Sequence, residues 1–101
     1  MNKETKKLHA ICKLYFYGLP IAWTAACPNG QENEHFLTLF YGPLAVGIPI
    51  PSDIIEADAS DFIECAIATL IELVEKEMSL GYAEHLREQI AAHRTTRFRP
   101  E

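Results

Sequence analysis

The stretch from Asp58 to Leu80 constrains this chain most, because its residue pattern suits a long helix and little else. Phe62, Ile63, Ala66, Ile67, Leu70, Ile71, Leu73, Val74 and Met78 form a broad apolar arc. Asp61, Glu64, Ala68, Glu72, Glu75 and Ser79 recur at spacings of three and four and form one thin polar stripe. Asp58, Ser60 and Asp61 offer side-chain oxygens to the first unpaired amides, and Asp61 with Glu64 suits the positive end of the helix dipole. Gly81 is the expected stop. The apolar arc is wider than one sheet face needs, so such a helix is either sandwiched inside the domain or shared with a partner protein.

A chain of 101 residues, 49% of them hydrophobic, is expected to form one domain (1–101) with a real core, with flexible tails at 1–6 and 95–101. No apolar run approaches the ~18 residues that span a bilayer. Met1 to Lys7 is charged with no apolar segment behind it, so no secretory signal is expected. Cys12, Cys27 and Cys65 are odd in number and scattered, which argues for free thiols in a reducing, cytoplasmic setting.

The net charge is −5, and its placement says more than its size. Lys3, Lys6, Lys7 and Lys13 precede residue 14, the next cation is Lys76, and Arg87, Arg94, Arg97 and Arg99 follow. The whole span from Leu14 to Glu75 lacks Lys and Arg. An anionic middle disfavours direct binding of nucleic acid and favours a basic protein surface, although acidic surfaces also serve plain solubility.

Along the chain, Lys7 to Tyr17 fits two periods. Leu8, Ile11, Cys12 and Tyr15 have helical spacing, while Leu8, Ala10, Cys12, Leu14 and Phe16 alternate; the aromatic run Tyr15-Phe16-Tyr17 favours a strand over the second half. Ile21 to Cys27 alternates as a strand, Pro28-Asn29-Gly30 signals a turn, and His35 to Tyr41 is apolar on both faces, as a central strand would be. Those two strands should form an antiparallel hairpin. Phe16-Tyr17-Gly18-Leu19-Pro20 echoes Phe40-Tyr41-Gly42-Pro43-Leu44, and each reads as a strand kinked at its glycine. Leu44 to Ile50 is extended, with Pro49 and Pro51 placing it at an edge or outside the sheet. Ser52 to Ala57 leads into the long helix. Tyr82 to His93 forms a second, narrower helix, in an antiparallel hairpin or a kinked continuation. The expected class is α+β: a small antiparallel sheet of about three strands followed by a C-terminal two-helix unit.

Chemistry is sparse. His9, Cys12, Cys27 and His35 are zinc-ligand types, but only one loose pair is close in sequence, so no metal and no cofactor are expected. His85 and His93 lie nearly on one helix face, where solvated histidines are the plainer account of a pH-sensing pair. The carboxylate pairs Asp58/Asp61 and Glu72/Glu75 sit on a polar stripe, and nucleophile and phosphate-loop motifs are absent. The expectation is a protein that is not an enzyme; a small zinc-assisted hydrolase is the competing class. Pro43, Pro49 and Pro51 make a rigid crossover that could dock on a partner or be handled by a prolyl isomerase, with bonds either cis or trans.

Phe36-Leu37-Thr38-Leu39-Phe40-Tyr41-Gly42-Pro43-Leu44, followed by Asp58-Ala59-Ser60-Asp61-Phe62-Ile63-Glu64-Cys65-Ala66, resembles the small phage proteins that inhibit the RecBCD nuclease. The resemblance implies a cytoplasmic, non-enzymatic protein that binds this host nucleic-acid-processing complex and modifies it in favour of phage recombination. It assigns no functional residue. From the residues themselves, the expected partner contacts are Glu56, Asp58, Asp61, Pro43, Pro49 and Pro51, with Trp23 or Tyr41 as aromatic anchors. A homodimer formed through the wide helix is the alternative.

Overall fold

The computed structural model describes residues 3–27, 34–57 and 59–97. Its elements are α1 (Lys3–Phe16), β1 (Ala22–Ala26), β2 (Glu34–Tyr41), β3 (Leu44–Pro51), α2 (Ser52–Ala57), α3 (Ser60–Glu77) and α4 (Leu80–Arg97). The fold is α+β, with a three-stranded antiparallel sheet in the order β1-β2-β3 and a C-terminal helix pair. No helix among the described residues is long and apolar enough to cross a membrane.

The first half of the chain departs from expectation. Residues 3–16 are one helix, not a frayed tail followed by a strand. Leu8, Cys12 and Phe16, spaced by four, are buried along one side, while Leu14 and Tyr17 face solvent. The four-residue spacing won over the aromatic run because α1 has sheet and helices to pack on from one side only. The echo between residues 16–20 and 40–44 is real in one respect: Gly18 (φ 84°) and Gly42 (φ 58°) both have left-handed backbone. Gly18, however, ends α1, with Leu19 N–H bonded to the Phe16 carbonyl at 3.1 Å. Gly42 and Pro43 instead form the two-residue turn that closes β2 on β3 at the pair Tyr41–Leu44. A positive φ followed by the fixed negative φ of proline is the sign pattern of a II′ hairpin turn.

That turn sets the fate of the prolines. The Leu44 N–H faces the Tyr41 carbonyl across the turn, so Leu44, Val46, Ile48 and Ile50 donate toward β2. Pro49 and Pro51, at the alternate positions, would have aimed their N–H groups away from the sheet, and β3 loses nothing to β2 by having none. β3 is an edge strand, and the peptide bonds of the described residues are trans.

The helices occupy one side of the sheet: α1 lies on β1, α3 on β3 and β2, and α4 on α3. A molecule 39 × 37 × 18 Å is one helix layer on one sheet layer. The wide arc of α3 is thereby explained. Ile63, Ala66, Ile67, Leu70, Ile71 and Val74 are buried because the sheet covers one part of the arc and α4 the other, through its own Ala83, Leu86 and Ile90. Six of the nine arc residues are buried inside the fold, while Phe62 and Leu73 are half-buried and Met78 is exposed, so most of the arc's width is accounted for by the sheet and α4.

The ends of α3 also differ from the reading. Ser52–Ala57 is a short helix of its own, and buried Ala59 is the N-cap of α3, with no side-chain cap bond. Gly81 lies inside the first turn of α4, not at a stop. Ser79 starts that helix, its hydroxyl accepting from Tyr82 N–H at 3.3 Å and its carbonyl from Ala83 N–H at 3.2 Å. α4 continues to Arg97, so residues 95–97 are helical where a tail was expected.

Candidate protein-docking face

On β2, His35, Leu37 and Leu39 are buried against the helix layer, while Phe36 is 40% exposed and Thr38 and Phe40 are half-buried. The strand is central laterally, yet only one of its two apolar faces is covered. The register assembles the outer face row by row: Ala22, Phe40 and Ala45; Thr24, Thr38 and Gly47; Ala26, Phe36 and Pro49. These nine positions carry no charge. Glu34, paired with Pro51, is the one charged residue at the end of this surface among the described residues. No described element lies on it. Nine uncharged residues with two phenylalanines, on which no described element packs, make a patch of the kind proteins use for association.

The surface has relief. Phe36, Thr38 and Phe40 form a ridge along β2, flanked by small residues on β1 and β3. A methyl group built on Gly47 would lie 3.4 Å from Thr38 Oγ1 and 3.8 Å from Phe36 Cδ1, so the ridge leans over β3. The column Ala22, Thr24, Ala26 on β1 remains an open trough.

The expected contact residues divide. Pro49 and Pro51 are exposed and lie on the outer face. Pro43 is exposed at the hairpin tip, and Asp61 is exposed in the first turn of α3. Trp23 and Tyr41 point the other way, toward the helix layer; Trp23 is half-buried and meets the His9 ring edge-on at 5.2 Å between centroids. Neither is a free anchor on that surface. Glu56 falls within α2, and Asp58 lies outside the described residues. The residues missed are Phe36, Phe40 and the small residues beside them.

The cysteine and histidine residues are scattered over the fold: Cys12 and His35 are buried, while Cys65 is exposed. His9 Nε2–H donates to the Ala25 carbonyl at 2.7 Å, and His93 Nε2–H donates to the Tyr15 carbonyl at 3.0 Å, tying α4 to the end of α1. His85 is exposed. Fully buried His35 bonds Thr5 Oγ1 through Nε2 at 2.8 Å; its Nδ1 has no partner. Thr5 Oγ1 also lies 3.6 Å from Cys27 Sγ. Among the described residues these groups do not converge into a set of three or more metal-ligand types. A groove of about 380 Å³ between α3 and α4 has Ile67, Ile71 and Ile90 as its floor. Arg87 on its rim pairs with Glu75 at 3.2 Å, which makes the groove the seam of the helix pair.

Cys12, fully buried, has its thiol pushed up to about 12 by desolvation. Above pH 9 an unfolded thiol ionises while the folded one keeps its proton, so stability falls as pH rises between 9 and 12. The slope from this group is about 1.4 kcal/mol per pH unit. Urea denaturation at pH 8 and pH 10.5 should therefore show a steeper loss for the wild type than for Cys12→Ala; parallel losses would refute it.

No family model, curated protein or solved structure matches this chain.

Proposed function

We propose that this protein is a non-enzymatic protein-binding module that works through the outer face of its sheet. The observation that carries this reading is the charge-free apolar surface built on Phe36, Thr38 and Phe40, which no described element covers. Apolar relief of this kind contributes to affinity by leaving water, without any reacting group. The target class is a protein complex that handles nucleic acid, with the RecBCD nuclease and helicase as the specific candidate. Two features support it: the similarity of residues 36–44 and 58–66 to the phage inhibitors, and the exposed acids of α3, Asp61, Glu72 and Glu77, which would attract a basic surface.

Immobilised protein in bacterial lysate tests this, with Thr38→Lys as the matched control. RecBCD subunits should be retained by the wild type, lost with the lysine in the centre of the face, and held less well as salt is raised. Retention that is equal on both baits would refute the assignment of the face. Retention of other proteins only would refute the target.

A further inference from the structure

We propose that the first occupant of the bare face is a second copy of this chain, packed sheet to sheet. The proposal rests on the reading of that face as a docking surface and names what docks. Three observations lead to it.

The first is relief. The β2 ridge of Phe36, Thr38 and Phe40 stands beside the trough of Ala22, Thr24 and Ala26. Two copies offset by one strand place each ridge in the other's trough, a reciprocal contact that a twofold axis generates. Aligned sheet packing at about 10 Å separation needs that alternation of large and small side chains.

The second is charge. A molecule of net charge −5 repels a second copy at long range, and α3 alone exposes Asp61, Glu72, Glu75 and Glu77. The nine residues of the bare face bring no like charges together, and exposed Glu34 stays at the rim. At this neutral face charge gives a basic partner no advantage over an identical copy, and either binds there by apolar contact. The dimer leaves the acids of α3 free on the opposite side, and a target protein that docks on the sheet face displaces the weakly held copy.

The third is area. Three strands ~4.8 Å apart, five residues long in β1 and eight in β2 and β3 at ~3.4 Å rise, give a footprint of roughly 350 Å² on each copy. Even with the relief of the aromatic rings, the area removed from water on both copies falls below the ~1,200 Å² of standard interfaces. The dimer is therefore of the weak, reversible class and forms at concentrations on the order of 10–100 µM.

Sedimentation equilibrium from about 5 µM to about 500 µM tests this. The wild type should rise from 11.4 kDa toward twice that mass. Thr38→Lys should stay at the monomer mass with unchanged circular dichroism, and Glu84→Lys, exposed on α4 away from the sheet, should dimerise as the wild type does. Should Thr38→Lys fail to fold, Thr24→Lys on the exposed edge strand carries the same test. A wild type monomeric throughout overturns the proposal, as does a folded Thr38→Lys that dimerises normally. The partner assay separates the two readings. A monomeric wild type whose protein partner is lost on Thr38→Lys removes the second copy and keeps the docking face; one whose partner binds Thr38→Lys equally removes both.

Discussion

Replacing Leu37 with alanine is expected to cost about 2–5 kcal/mol, while the same truncation at adjacent Phe36 costs under about 1 kcal/mol. Leu37 is fully buried between the central strand and the helix layer, so removing its branch leaves a cavity that the rigid sheet cannot close. Phe36, one residue away on the opposite face, is 40% exposed and leans over Gly47, so its truncation opens no closed cavity. For a domain of this size the Leu37→Ala loss lowers the melting temperature by roughly 10–30 °C, and the Phe36→Ala loss by a few degrees. Melts at about 2 µM, where a weak dimer is dissociated, measure the monomer. Equal losses at the two positions would mean that the outer face is covered within one chain.

The second large effect is at the buried histidine. Thr5→Val preserves shape but removes the hydroxyl bonded to His35 Nε2, in a ring whose Nδ1 already has no partner. A fully buried imidazole then carries two unsatisfied nitrogens, at a cost of about 1–3 kcal/mol. Thr5→Val combined with His35→Leu replaces both partners with apolar groups, which is often close to neutral. The double variant should therefore be more stable than Thr5→Val alone, giving a favourable coupling of more than about 1 kcal/mol in a double-mutant cycle. Additive losses would show that the Thr5–His35 bond contributes little and that the ring is held by packing.

Much of the fold was legible because period-two alternation is hard to mistake when turns bound it. Ile21 to Cys27, His35 to Tyr41 and Leu44 to Ile50 fall where β1, β2 and β3 lie, and the prolines correctly marked an edge. α1 was not legible in the same way. Its apolar residues satisfy both periods, and the choice is made by a sheet that begins several residues later in the chain. The site was harder still. Phe36 and Phe40 on one side and Leu37 and Leu39 on the other read as two buried faces, and sequence has no term for how many layers the rest of the chain can supply. The clue was in the neighbours: once β1 and β3 are paired with β2, every residue flanking Phe36, Thr38 and Phe40 is small and uncharged. That pattern appears only in the register, which the strands by themselves do not reveal. Trp23 and Tyr41 differ from Phe36 and Phe40 by parity, which turns their half-buried side chains toward the helix layer.

The edges of the sheet decide how far such a protein can assemble. The outer rim of β3 lacks two donors, at Pro49 and Pro51, and β1 is five residues long with its Ala25 carbonyl already taken by His9. An arriving strand finds no continuous template on either rim. Growth by lateral polymerisation, the route to ribbons and fibres, is closed, and any association across the one open face uses that face up. A chain built this way, crowded or concentrated, is expected to stop at a finite assembly.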